Sequence, residues 1–276
     1  MRRFIPILLI LIFITSCVYF DADRDDILQR LGKEGDTVVT IDTERMKESS
    51  LSSFIPSGEL ENRVNRLSLV LSDDSVTGIA QGKLSSTEVG TVLIWSPLFH
   101  RAKDENPRYY RSEHMSISAG SVGEGIVLFT TGDYESEYDS IFVSPIGNIP
   151  RSDALAMQSA LAGVYISEPD SSFGLGIPDE TLAKIRNVLL TIDENGEDFS
   201  LSGRIIMDSE DSARAMQMLL RNMLVQDIRR KGERLDVKAL SGIFTYEGSV
   251  VSVSGYSLDK EVLENVISGS IGYAAI

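Results

Sequence analysis

The chain holds one cysteine, Cys17, and this narrows its possible folds more than any other feature. A lone cysteine cannot close an internal disulfide, so the rest of the chain must fold by burying apolar surface and pairing its backbone. The means are present: 42% of residues are apolar and 24% charged, the balance of a folded body rather than a disordered tail. At 276 residues the chain is long enough for one large or two modest domains. No apolar run beyond Cys17 approaches the ~20 residues of a membrane-spanning helix.

Cys17 closes a leader. Arg2 and Arg3 precede an apolar run over residues 4–14, broken only by Pro6, and Ile14-Thr15-Ser16-Cys17 ends it with small residues. The run is too short for a ~30 Å hydrocarbon core, and its flanks are those of a signal peptide. Residues 14–17 resemble the bacterial lipobox. The resemblance implies loss of residues 1–16, a thioether-linked diacylglycerol on Cys17, and a further acyl chain, such as palmitate, on its freed amine. Each buried methylene contributes roughly 0.8 kcal/mol, so two or more chains make a stable anchor to membrane lipid. Val18, rather than an aspartate, follows the cysteine, and this favours an outer membrane location facing the periplasm. Loss of Arg2 and Arg3 moves the formal charge from −15 to −17. So acidic a chain repels nucleic acid and gains no broad adhesion to anionic lipid.

The sequence divides into a signal peptide (1–16), an anchor with a short acidic linker and helix (17–33), and two α+β units (34–150 and 151–276). The units rest on a weak internal duplication. Residues 54–69 and 176–190 share Ile-Pro, a polar helix start, a leucine and a basic helix end entering a strand. In the second unit, residues 163–167 form a strand, Pro178 opens a helix to about residue 187, and 188–192 form a strand. Asn195-Gly196 turns a hairpin into an alternating strand from Phe199 to Met207. Asp208 or Ser209 caps a long helix with acids in its first turn and Arg229, Arg230 and Lys231 in its last, and Gly232 ends it. A hairpin turns at Glu247-Gly248, and residues 258–268 close as a helix.

The first unit follows the same order. It has a strand at 37–41, a helix at 58–66, a hairpin of 67–72 with 77–83, a helix at 86–95, an irregular stretch at 97–112, and a hairpin of 114–119 with 125–131. A helix over 153–161 bridges the units. The expected fold is α+β: antiparallel sheets with amphipathic helices on one face, built from two weakly duplicated β-α-β-β-α-β-β units.

No reaction is written in the residues. His100 and His114 are the only histidines and stand beside no recognisable nucleophile, and neither a G-x-S-x-G elbow nor an H-E-x-x-H is present. Gly174-Leu175-Gly176 lacks the third glycine and the lysine of a phosphate loop. No catalytic residue, metal or cofactor is expected, and the chain is read as no enzyme. Binding of something apolar is favoured instead. Met216, Leu219, Leu220, Met223, Leu224 and Ile228 form one stripe on the long helix, widened by Met218 and Val225; methionine suits adaptable apolar sites. The same stripe also suits plain packing on a sheet. Arg214, Arg221, Arg229 and Arg230 occupy the other face. Tyr109 and Tyr110, between Arg108 and Arg111, have the chemistry of a membrane interface or of an ordinary packed loop.

A lipobox ahead of an acidic α+β body with amphipathic helices, carried by residues 14–17, 177–190 and 209–224, resembles the spirochaetal (treponemal) outer-membrane lipoproteins. That resemblance implies a protein at the inner leaflet of the outer membrane that binds lipid and perturbs the bilayer. The expected function is a membrane-tethered envelope lipoprotein that binds lipid or another amphiphile. The alternative is an envelope scaffold that binds another protein through residues 97–112 or the apolar tail at 271–276.

Overall fold

The computed structural model describes residues 27–52, 63–103, 105–144, 147, 149–169, 178–196, 198–231, 242–258 and 260. The signal segment, Cys17, Ile55-Pro56, Ile177, Gly174-Leu175-Gly176, Gly232, residues 261–268 of the expected closing helix and the tail at 271–276 lie outside them. After a 3-10 turn at Leu28–Arg30, β1 (Thr37–Asp42) leads into α1 (Thr43–Glu48), whose first turn Asp42 caps by accepting from the Arg45 amide at 2.9 Å. There follow β2 (Val64–Leu71), β3 (Val76–Gly82), α2 (Ser86–Trp95), β4 (His100–Lys103), β5 (Tyr109–Ser112), β6 (Ile117–Gly123) and β7 (Ile126–Thr130). α3 (Tyr134–Tyr138) runs into a wider π-type turn, Asp139–Val143, before α4 (Arg151–Ser159). The second half comprises β8 (Ala162–Ser167), α5 (Asp179–Leu182), β9 (Ile185–Asn195), β10 (Asp198–Met207), α6 (Glu210–Lys231), β11 (Phe244–Glu247) and β12 (Val250–Leu258).

All twelve strands join one antiparallel sheet in the order β11-β12-β10-β9-β8-β1-β2-β3-β7-β6-β5-β4. The seam between the halves is the β1–β8 pair, with Val38 opposite Tyr165 and Val39 opposite Val164. Outward from that seam the two halves run alike: β1-β2-β3-β7-β6 on one side and β8-β9-β10-β12-β11 on the other. The hairpin β4–β5 is extra to the first half. This is a likeness of topology.

The α+β class holds, but the helices cover both faces of the sheet. Alternate residues point opposite ways, and neighbours along β3 and β7 accordingly fall into different cores. Ile79 and Leu128 pack with the 3-10 turn, α3 and α4, whereas Ala80, Val127 and Phe129 pack with Val89 and Leu93 of α2. On that second face α6 covers the other half through Ala213 and Met216 against Ile166, Val188, Ile205, Met207 and Val251. One register row links the two helices: Leu190, Val164, Val39 and Leu69, each half-buried, then Gly78, whose missing side chain makes room for the Phe129 ring.

Strands claim the ends of two expected helices. Residues 64–66 belong to β2, and the helix opened by Pro178 stops at Leu182, with β9 beginning at Ile185. Arg66, taken as a basic helix end, is a strand residue. Its guanidinium donates to Asp42 at 3.0 Å and to the Gln158 carbonyl at 2.7 Å, and burial lowers its pKa against the opposing pull of Asp42. Residues 97–112 are regular in part, since backbone pairing makes β4 and β5 without apolar alternation.

On the first face Asp153 of α4 is almost wholly buried and bonds Arg204 of β10. Burial raises the Asp153 pKa, and Arg204 and the Ser152 hydroxyl oppose that rise. Close approach makes the contact possible: a side chain at Gly163 would meet Met157 of α4 at 2.9 Å.

Candidate functional site

α6 begins where the sequence puts it. The Ser209 hydroxyl accepts from the Ser212 amide at 3.3 Å, and hydrogen bonds from Ser212 and Ser209 hold the Asp208 carboxyl below its ordinary pKa. Glu210 and Asp211 stand in the first turn, where they complement the helix dipole. From there the helix leaves the sheet centre and runs out over β11 and β12. Gln217 Nε2 donates to the Phe244 carbonyl at 2.9 Å, and Arg214 Nε donates to the Tyr246 hydroxyl at 3.0 Å while its guanidinium stands 5.7 Å from that ring's centroid.

Past this tie the helix and strands part. Leu220, Met223 and Leu224 on one side, with Phe244 and Tyr256 on the other, wall an open groove of about 520 Å³. Gln226 and Arg230 give it a polar rim. A β-bulge builds the far wall. Gly203 of β10 faces Val253, but Leu201 faces Tyr256, so β12 carries one extra residue there. Gly255 takes φ +61° within it, a conformation glycine adopts without strain. The bulge re-phases the strand, so that Tyr256 rather than residue 255 follows Val253 on the helix side.

The methionine–leucine stripe is therefore divided. Met216 is fully buried in the core with Leu219 and Leu220 at its margin. Leu224 packs on Phe244 and Val253, and Ile228 and Val225 flank that smaller cluster. Met223 and Met218 are exposed. Packing on the sheet and lining a groove are both true, of different halves of one helix. Phe244, Tyr256, Gln226 and Arg230 were not expected at the site. Period-two alternation in residues 250–256 points Tyr256 the wrong way, and only the bulge corrects it.

Of the two readings of the tyrosine pair, packing on the body is the one Tyr110 follows rather than a membrane interface; Tyr109 is half-buried. Tyr110 is 2% exposed within the α2 core, and Tyr109 stacks on Tyr134 with ring centroids 4.5 Å apart. Each strand residue is placed by its partner: Tyr110 lies opposite Ala119, which packs in the same core. The ring of Tyr134 is buried, which pushes its hydroxyl pKa upward. Arg101, Arg108 and Arg111 face outward around the pair. His100 and His114 are both exposed near this hairpin, and among the described residues no three His, Cys, Asp or Glu side chains gather as metal ligands.

No protein-family model matches the chain, and no curated protein sequence matches it. Its fold has solved counterparts. Crystal form III of TP0453 superposes with a TM-score of 0.61 at 14% identity, covering 88% of this chain and 98% of that one. Crystal form I of the same protein gives a TM-score of 0.60 at 12% identity, over 88% of this chain and 97% of that one. At such identities the likeness is one of fold.

Proposed function

We propose that this chain is a membrane-tethered lipoprotein of the bacterial envelope, non-enzymatic, that takes a lipid or other amphiphile into the groove beneath the C-terminal half of α6. Acylated Cys17 is its anchor, and the periplasmic face of the outer membrane is its place. The observation that carries the reading is the groove: five apolar or aromatic side chains form its walls, and Gln226 and Arg230 stand at its rim. An acyl chain fits the walls, and a polar head group fits the rim. The likeness in fold to TP0453 supports the envelope setting. Native mass spectrometry of the chain extracted from membranes should reveal a bound amphiphile that is lost in Leu224→Asp. A clean ligand-free mass, with no uptake of fluorescent fatty acid, would sink the proposal.

A further inference from the structure

Three of the exposed large apolar residues cluster far from the groove in the fold. They sit at the C-terminal end of α2, beside the β4–β5 hairpin. Trp95, the only tryptophan, is 82% exposed, Ile94 is 51% and Leu98 is 44%. Single exposed apolar residues are ordinary, but three large ones on one tip, including a tryptophan, mark a contact surface. The tip is rigidly mounted. Val89 and Leu93 of α2 are buried in the core, Phe99 packs on that core directly after the turn, and the Ser96 amide closes the helix on the Val92 carbonyl at 3.0 Å.

Its surroundings are basic within an acidic chain. β4, the edge strand, opens with exposed His100 and Arg101; Arg101 lies opposite Tyr110 on the α2 side, whereas His100 and its register partner Arg111 lie on the other face. Arg101 also lies 5.9 Å from the Tyr110 ring centroid. The exposed acids among the described residues of the two flanking turns are Glu105 and Glu113, the latter accompanied by His114. At a formal charge of −15 the body as a whole is repelled by an anionic bilayer, so a cation on the side of the tip matters. Tryptophan with aliphatic neighbours favours the head-group boundary, and cations beside it meet lipid phosphates at about 1 kcal/mol each. We infer that the Ile94–Trp95–Leu98 tip, with Arg101 on the same side, is a docking surface for anionic lipid head groups, separate from the amphiphile groove. It would hold the tethered body in one orientation on the membrane.

Trp95 reports on itself. The full chain, reconstituted into vesicles of phosphatidylcholine alone or mixed with phosphatidylglycerol, is probed by tryptophan emission, acrylamide quenching and quenching by brominated acyl chains. With phosphatidylglycerol the emission shifts to the blue, acrylamide quenching falls and brominated lipid quenches. Arg101→Gln weakens this response about fivefold, the factor corresponding to one such charge contact, whereas Arg111→Gln, on the opposite face, leaves it unchanged; high salt reverses the response. Circular dichroism confirms that these surface variants keep the fold. Trp95 equally open to acrylamide in both vesicle types overturns the inference. So does protection of Trp95 that rises with protein concentration in the absence of lipid, which would assign the tip to a second copy of the chain.

Discussion

Asp153 illustrates how much one residue's environment is set by distant chain. Its carboxyl lies inside the protein against Arg204, fifty-one positions away, with Tyr165 of β8 close enough that Asp153 and burial together raise that tyrosine's pKa. Burial, the largest influence, raises the Asp153 pKa above its ordinary 3.8. The folded state therefore holds this proton more tightly than the unfolded chain. Its contribution to stability is complete below pH 3.8 and is lost as pH rises through the raised folded value. Asp153→Asn removes that titration. Denaturant melts across pH 3.5 to 7 should show the stability difference moving steadily against the wild type as pH rises, and a pH-independent difference would refute the assignment. The sequence offers no hint of this pair, because Asp153 in a helix first turn has an adequate local explanation as a complement to the dipole.

At the scale of the element, α6 is the part of the molecule most legible beforehand. Cap, acidic first turn and apolar periodicity agree on a helix from 209 or 210 to 231, and the structure has Glu210–Lys231. Its division into a core half and a groove half was not legible, since a 3.6-residue period says which face is apolar and not what that face meets. Substitution separates the halves. Met216→Ala, in the fully buried half, should cost about 3 kcal/mol in chemical denaturation. Met223→Ala, exposed at the groove, should change stability by less than about 0.5 kcal/mol while weakening uptake of a fluorescent amphiphile severalfold. Equal effects of both on stability would mean that the groove half is core as well. Elsewhere, misread boundaries share one cause. Arg66, Lys184 and Arg186 resemble helix-ending cations, but the backbone there finds strand partners, and Arg66 is neutralised by Asp42 from the neighbouring strand.

For the whole molecule the decisive feature is the β1–β8 seam, which makes one sheet of two halves that the sequence describes separately. Val38 and Tyr165 face each other across it and belong to the same core as Ile79, Leu128 and Leu189, so that core spans both halves. Neither half can close this core alone. Heating should accordingly give a single transition in which calorimetric and van't Hoff enthalpies agree. Two resolved transitions would show that the halves fold as independent domains. Among the described residues the strand order matches on either side of the seam as far as β6 and β11, and the further hairpin β4–β5 brings Arg101 to the α2 side, where Trp95 stands.

What the sequence determined by itself was local: hairpins at Gly196 and Gly248, both with positive φ, strands that alternate, a capped helix, and a body without disulfides. Each of these follows from interactions between residues near in the chain, so pattern suffices. The single sheet, the buried Asp153–Arg204 pair, the inward turn of Tyr110 and the bulge that swings Tyr256 into the groove were decided by tertiary structure. Each depends on which strand lies next to which, and that is settled only when distant segments compete to bury the same apolar surface.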